Sequence, residues 1–357
     1  MATVCREIGR RRLGSTGLCV TEIGFGAATL GNLYRPIADV DAGEALSTAF
    51  EAGLTYVDTA PFYGFGLSEL RVGDALRGRQ DIVVSTKVGR LLVADEEVSD
   101  DGERHGFRSA MRFRPVFDYR YDAILRSFED SLSRLAVPRI DLLYIHDIGR
   151  RTHGSDHAAA WSQLIDGGGL RALEELRDGG AISGFGVGVN EIEACLDVMA
   201  EARLDAVLLA GRYTLLEQHA LDEVLPACAR SGASLIVGGR YNSGILATGT
   251  RQGGPVHYDY APASPELIAR VAAMEAVADR HDVALAAAAL QFPLAHPQVA
   301  SVIPGLDSAD RVSETLDLYR APIPDGFWVD LKAEGLLRDD TPVPGDSRRA
   351  NSGGVRA

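Results

Sequence analysis

Four residues with chemistry to offer, Asp58, Tyr63, Lys87 and His146, fall at or just past the ends of short apolar runs. Leu54-Thr-Tyr-Val ends in Asp58 and continues Thr-Ala-Pro-Phe-Tyr63-Gly; Val83-Val-Ser-Thr ends in Lys87; Leu142-Leu-Tyr-Ile ends in His146. A tyrosine hydroxyl, with a pKa of about 10, is a poor acid or base at neutral pH. A neighbouring ammonium lowers that pKa, and a carboxylate paired with the ammonium holds it in position. A histidine alongside can donate a hydrogen bond to a carbonyl or alkoxide oxygen. Together they form a proton-transfer site facing a C–O group, suited to carbonyl reduction or alcohol oxidation where a hydride carrier lies beside it. Proton transfer to a sugar-isomerase intermediate would use the same groups.

Each residue alone has a plainer reading. Asp58 can cap the following segment, Tyr63 can be a half-buried loop aromatic, and His146 can be a satisfied histidine under a loop. Lys87 is harder to explain away. Of the 36 basic residues only Lys87 and Lys332 are lysines, so arginine serves almost everywhere else. An amine can be desolvated and shifted in pKa, which a guanidinium resists.

The elements that must position these residues alternate. Runs with strand character cover Val20–Phe25, Leu54–Asp58, Ile82–Lys87, Ile140–His146, Ile182–Val189, Ala206–Leu209, Ser234–Val237 and Ala300–Ile303. Helical spacing of apolar residues covers Asp39–Ala52, Glu69–Leu76, Asp122–Leu135, Ala158–Arg177, Glu191–Ala202, Glu217–Arg230, Pro265–His281 and Ala284–Leu290. Eight strands with helices between them predict an α/β (β/α)8 TIM barrel, whose strand ends converge at the C-terminal face. Two Rossmann halves share this alternation, and Gly24-Phe-Gly26 follows the first run. Yet the third glycine of GxGxxG falls at Thr29, and helical spacing resumes only at Asp39. The barrel is preferred.

The chain has 357 residues, a length that one barrel can fill, and residues 1–344 are read as a single domain. Gly345–Ala357 is read as a disordered tail. Two long connections, Gly89–Arg120 and Gly238–Ala263, fall on the C-terminal face, with Asp95–Glu103 acidic and expected to be mobile. A net charge of −14 disfavours nucleic acid and anionic membrane as partners. No segment reaches about 18 uninterrupted apolar residues, and no secretory h-region follows Met1–Arg12, so a cytoplasmic location is expected. The cysteines Cys5, Cys19, Cys195 and Cys228 are scattered, which predicts reduced thiols and no metal site. His105, His153 and His157 are expected to be solvated in loops.

On these residues the chain resembles the aldo-keto reductase superfamily from Arg11 to Arg338. Leu13-Gly-Ser-Thr-Gly17-Leu-Cys-Val20 is similar to that family's N-terminal hairpin, which plugs the barrel bottom. Asp58-Thr-Ala-Pro-Phe-Tyr63-Gly64, Ser85-Thr-Lys87 and Asp141-Leu-Leu-Tyr-Ile-His146 match its catalytic signature in order and context. The resemblance implies a tetrad of Asp58, Tyr63, Lys87 and His146, with Tyr63 transferring the proton. It also implies a nicotinamide cofactor stretched across the barrel mouth, with contacts drawn from Gly26, Asp58, Asn190, Gly238, Asn242, Gly244, Leu246, Gly305 and Arg311.

Departures from the family pattern carry information. The usual Ser-Asn pair appears as Gly186-Val-Gly188-Val-Asn190-Glu191, the usual glutamine falls near Ala210, and the usual stacking aromatic falls near Gly238, leaving Tyr241 or Tyr213 as substitutes. After the last strand, Ile303-Pro304-Gly305-Leu306-Asp307-Ser308 lacks the lysine of NADP-preferring members, while Arg311 matches their later arginine. NAD is therefore the expected cofactor, with NADP the alternative.

These variants, with Phe327-Trp328, resemble the subgroup of L-fucose and D-threo-aldose 1-dehydrogenases and pyridoxal 4-dehydrogenases. The implied reaction is oxidation of an aldose at its anomeric hydroxyl to a lactone. Pyridoxal is the rival substrate, and aldehyde reduction the third reading. Asp147 and Trp161 are candidate pocket residues, against the plainer readings of solvent contact and helix packing. A nicotinamide-binding regulatory subunit is the alternative of a different class; no obligate protein partner is evident.

Overall fold

The computed structural model describes residues 7–98, 102–251, 257–259 and 261–345. Eight parallel strands form its centre: β1 (Phe25–Gly26), β2 (Tyr56–Asp58), β3 (Val83–Val88), β4 (Leu142–His146), β5 (Gly184–Val189), β6 (Ala206–Ala210), β7 (Ser234–Gly238) and β8 (Val299–Val302). They are hydrogen-bonded in chain order. The ends of the series meet through the parallel bridges Ile23↔Val302 and Gly26↔Gly305, with Gly26 N–H donating to Pro304 O at 2.8 Å. The sheet thus closes on itself as a barrel.

Around it lie α1 (Asp39–Glu51), α2 (Leu67–Ala75), α3 (Tyr121–Leu135), α4 (Gly169–Asp178), α5 (Ile192–Glu201), α6 (Val224–Ser231), α7 (Pro265–Arg280) and α8 (Ala309–Arg320). In α3, Ala123, Ile124, Phe128 and Leu135 share the buried face, as spacing by three and four residues requires. The Ser264 and Ser308 hydroxyls accept from the N–H of the third residue of α7 and α8, Leu267 and Arg311, a common start signal.

Two apolar layers follow from the strand period of two. One fills the space between strands and helices. The other fills the barrel interior with Tyr56, Leu142, Tyr144, Leu208 and Ile236, closed below by Leu13 and Val20. Those last two residues belong to an antiparallel hairpin in which Arg10–Arg12 pairs with Cys19–Thr21. The run Val20–Phe25 therefore is not one strand: it spans the hairpin's second strand and β1.

Two helical spans are also divided. Ala158–Arg177 breaks into His157–Ile165 and α4 where Gly167-Gly168-Gly169 intervene, Gly168 at φ 79. Glu217–Arg230 becomes a 3-10 turn, His219–Leu221, and then α6.

The connection Gly89–Arg120 is ordered where it is described. Arg90–Ala94 pairs antiparallel with Phe113–Phe117, and Glu103–Arg104 with Phe107–Arg108. Of the acidic stretch Asp95–Glu103, residues 99–101 lie outside the described residues, as do residues 252–256 and 260 of the second long connection and 346–357 of the tail. Cys5 is outside as well; Cys19, Cys195 and Cys228 are free thiols. No helix among the described residues is long and apolar enough to cross a membrane.

Candidate active site

Strand register brings the four chemistry-bearing residues together. Gly26 pairs with Asp58, Asp58 with Ser85, Tyr144 with Lys87, and His146 with Gly188. Lys87 Nζ donates to Asp58 Oδ2 at 2.6 Å and to Thr59 O at 2.8 Å, and is buried. The other carboxylate oxygen accepts from Ser85 Oγ at 2.7 Å, and Ser85 Oγ lies 3.0 Å from Tyr56 OH. The pair is held on both sides, as a buried ion pair needs.

β5 makes room for it. Its glycines alternate with Phe185, Val187 and Val189, and a Cβ on Gly188 would already stand 3.3 Å from Tyr144 Cβ and 3.6 Å from Lys87 Cε. Tyr63 is set by the turn after β2. A Cβ on Gly31 would come within 2.5 Å of the Tyr63 carbonyl carbon, and Gly64 adopts φ 65 against Gly31. Only glycines permit that backbone contact.

Lys87 Nζ lies 4.6 Å from the centre of the Tyr63 ring, and the His146 ring stands perpendicular to it at 6.0 Å between centroids. Burial raises the Tyr63 hydroxyl above its ordinary pKa; the charge and hydrogen bond of Lys87 oppose this without cancelling it. The net shift is therefore opposite to the one anticipated from the ammonium alone. Desolvation is the larger effect, and the nearby Asp58 charge adds to it. Burial also penalises the Lys87 ammonium, yet Asp58 and Tyr63 overcome this and raise its pKa, so it stays cationic. Asp58 is raised by burial, against the pull of Lys87. His146 is pushed well below its ordinary value by burial and then by Arg90 and Lys87. It is neutral at pH 7, a hydrogen-bonding group and not a cation.

Sequence reasoning missed several residues at the mouth. Arg90 lies under the rings of Phe62 (3.9 Å) and Phe117 (4.6 Å) and pairs with Asp147. Tyr119 OH donates to His146 O at 2.7 Å and contacts His153 Nε2 at 3.0 Å, so His153 is engaged and half-buried instead of solvated. Phe62 packs on Phe65, Phe107 and His105, an aromatic wall beside Tyr63. The local pattern gave no signal for these contacts, since the Gly89–Arg120 hairpin creates them.

The other candidate contacts ring the same face. Gly26, Gly238 and Asn190 end or follow β1, β7 and β5, and exposed Gly305 follows β8. A Cβ on Gly244, at φ 100, would meet nothing within 4 Å. Asn242 is buried, accepting from Thr214 Oγ1 at 2.6 Å and donating to Gly211 O at 3.2 Å. Leu246 is fully buried. Arg311 is about half exposed and paired with Glu314 at 2.7 Å. Tyr213 is buried against Phe292. Trp161 stacks on His157, and Trp328 is buried between Phe292 and Phe327, both packing roles.

Arg240, also unforeseen, is buried over the Tyr241 ring at 3.8 Å, and its Nε finds no partner. Burial and the nearby Arg311 charge both lower its pKa. Tyr241 raises it in part, and a desolvated guanidinium with a second cation nearby has the chemistry to hydrogen-bond an anion. Among the described residues no group of three His, Cys, Asp or Glu side chains could hold a metal.

Residues 22–333 match the model of the aldo/keto reductase family. The chain is 45% identical to a pyridoxal 4-dehydrogenase of Microbacterium luteolum, over 92% of this chain and 98% of that one. It is 38% identical to a D-threo-aldose 1-dehydrogenase of a Pseudomonas species, over 90% and 96%. Its fold superposes on an aldo-keto reductase of Bacillus halodurans with a TM-score of 0.69 at 26% identity, covering 96% of this chain and 99% of that one. Barrel, strand-end constellation and similarity agree: the chain belongs to the aldo/keto reductase family and is an oxidoreductase.

Proposed function

We propose that the protein oxidises the anomeric hydroxyl of an aldopyranose to a lactone, with Tyr63 as general base. The observation that carries the reading is the Lys87–Asp58 ion pair set against Tyr63 beside a neutral His146. Tyr63, as the phenolate that the Lys87 cation stabilises, takes the proton from the C1 hydroxyl and becomes the neutral phenol. Asp58, itself fixed by Ser85, keeps the ammonium from turning away. His146, uncharged, orients the reacting oxygen by a hydrogen bond and does not compete for its proton.

A dinucleotide fits the residues present: Arg240 and Arg311 suit its phosphates, and the open space at Gly244 leaves room for close backbone approach. Gly26, Asn190, Gly238, Asn242, Gly305 and the backbone of Leu246 complete the proposed contacts. A bound nicotinamide would supply the hydride acceptor. NAD is preferred over NADP in this reading. Gly305 stands where NADP-preferring relatives carry a lysine, Asp307 adds an anion paired with Arg35 at 2.5 Å, and Arg311 already has Glu314. Both carboxylates oppose a 2′-phosphate.

A second reading, pyridoxal as substrate, is favoured by the 45% identity and by the half-buried Phe62, backed by buried Phe65 and Phe107, against which a flat ring can pack. Pyridoxal also closes to a cyclic hemiacetal, so the residues keep their roles. Nicotinamide reduction should be followed with NAD and NADP separately, against L-fucose, D-arabinose, L-galactose and pyridoxal. Turnover of sugars with NAD is the expected result; turnover of pyridoxal alone replaces the first reading by the second.

A further inference from the structure

We propose that Asp147 selects substrates carrying a neutral hydroxyl on the carbon next to the reacting one, with Arg90 as its positioning residue. This rests on the aldopyranose reading above, and it names the feature of the sugar that the site tests.

Placement comes first. Asp147 Oδ2 lies 3.5 Å from His146 Nε2, and the charge of Asp147 is felt at the Tyr63 hydroxyl. A carboxylate against His146, whose ring stands against that of Tyr63, lies beside the reacting C–O. In an aldopyranose the nearest further polar group is the 2-hydroxyl, one carbon away. A hydroxyl held between substrate and carboxylate donates its proton to the carboxylate oxygen.

The carboxylate is also pre-set. Arg90, buried and sandwiched between Phe62 and Phe117, pairs with Asp147 Oδ2. Asp147 adopts φ 50, with its N–H donating to Gly188 O at 3.0 Å. The side chain nevertheless remains 24% exposed, so a ligand can touch it. A pure staple between the β3 hairpin and β4 would not need that open edge.

Charge sets the direction of the preference. A carboxylate accepts a hydrogen bond from an alcohol and repels an ionised oxygen. Pyridoxal carries an ionised ring oxygen near its reacting carbon at neutral pH, so Asp147 favours the sugar.

The test compares the aldose that the wild type turns over fastest with its 2-deoxy counterpart, in wild type, Asp147→Ala and Asp147→Asn. The wild type should lose about a hundredfold or more in kcat/KM on losing the 2-hydroxyl, as sites built around a substrate hydroxyl do. Asp147→Ala should treat the two sugars within a factor of about three, because the coupling is gone. Dinucleotide binding by fluorescence serves as the control for folding. If Asp147→Ala does not fold, Asp147→Asn decides: with the charged acceptor gone, it should discriminate between the two sugars less than the wild type does, and undiminished discrimination overturns the inference.

A wild type indifferent to the 2-hydroxyl, or a variant that loses both sugars equally, overturns the inference and leaves the aldose reading intact. A wild type silent on every aldose overturns that reading and the inference with it.

Discussion

Lys87 and Asp58 form an ion pair of 2.6 Å in which both side chains are only 2% exposed. Neighbouring parallel strands bring them side by side, and the ammonium faces the Tyr63 ring. A buried pair of this kind is costly to desolvate and is weak evidence for stability by itself. Its value here is positional, since it fixes a cation where a phenolate must form.

Tyr63→Phe should lower turnover by at least about a hundredfold to ten-thousandfold, the usual worth of a positioned acid or base. Dinucleotide affinity should not change. Steady-state rates and fluorescence titration of the same preparation check this, and retained activity would sink the proposed mechanism.

Lys87→Met should cost about 3–5 kcal/mol of stability, because Asp58 is left charged and buried without its partner. Adding Asp58→Asn should recover part of the loss while leaving the enzyme inactive. Urea unfolding of the wild type, both single variants and the double variant measures the coupling.

The rate of oxidation should rise with pH into the alkaline range. The base form of Tyr63 is the active one, and burial raises its pKa in the folded protein. Lys87 lowers that pKa, so any residual activity of Lys87→Met should need still higher pH. A profile from pH 6 to 11 reads both limbs.

Stability should fall as the solution is acidified below the ordinary histidine pKa. His146 stays neutral when folded and takes a proton when unfolded. In the window between its depressed folded value and the ordinary one, the unfolded state therefore binds more protons, and stability rises with pH. Melting temperatures of wild type and His146→Gln across that window should differ in slope.

Arg240→Ala should weaken dinucleotide binding by about tenfold or more, the worth of a hydrogen bond to a charged group. Its unpartnered Nε and the cation of Arg311 nearby are the reason. Arg311→Ala should affect NADP more than NAD. Wild-type affinity of the Arg240→Ala variant for both cofactors would remove the proposed phosphate contact.

The alternation of short apolar runs with helical spacing determined the eight-stranded barrel. Because a barrel gathers strand ends, Asp58, Lys87 and His146 were legible as neighbours from one-dimensional position alone. Local period could not separate the hairpin strand Cys19–Thr21 from β1, since only Glu22, Ile23 and Gly24 lie between them. Nor could it weigh three consecutive glycines against the apolar spacing of Ala158–Arg177.

Tertiary structure alone decided what surrounds the site. Arg90, Phe107, Phe117 and Tyr119 come from the Gly89–Arg120 hairpin, whose pairing depends on contacts across the fold. The sign of the Tyr63 shift was likewise not readable from residue types. A neighbouring cation can be read from a sequence, but desolvation depends on how completely the rest of the chain excludes water.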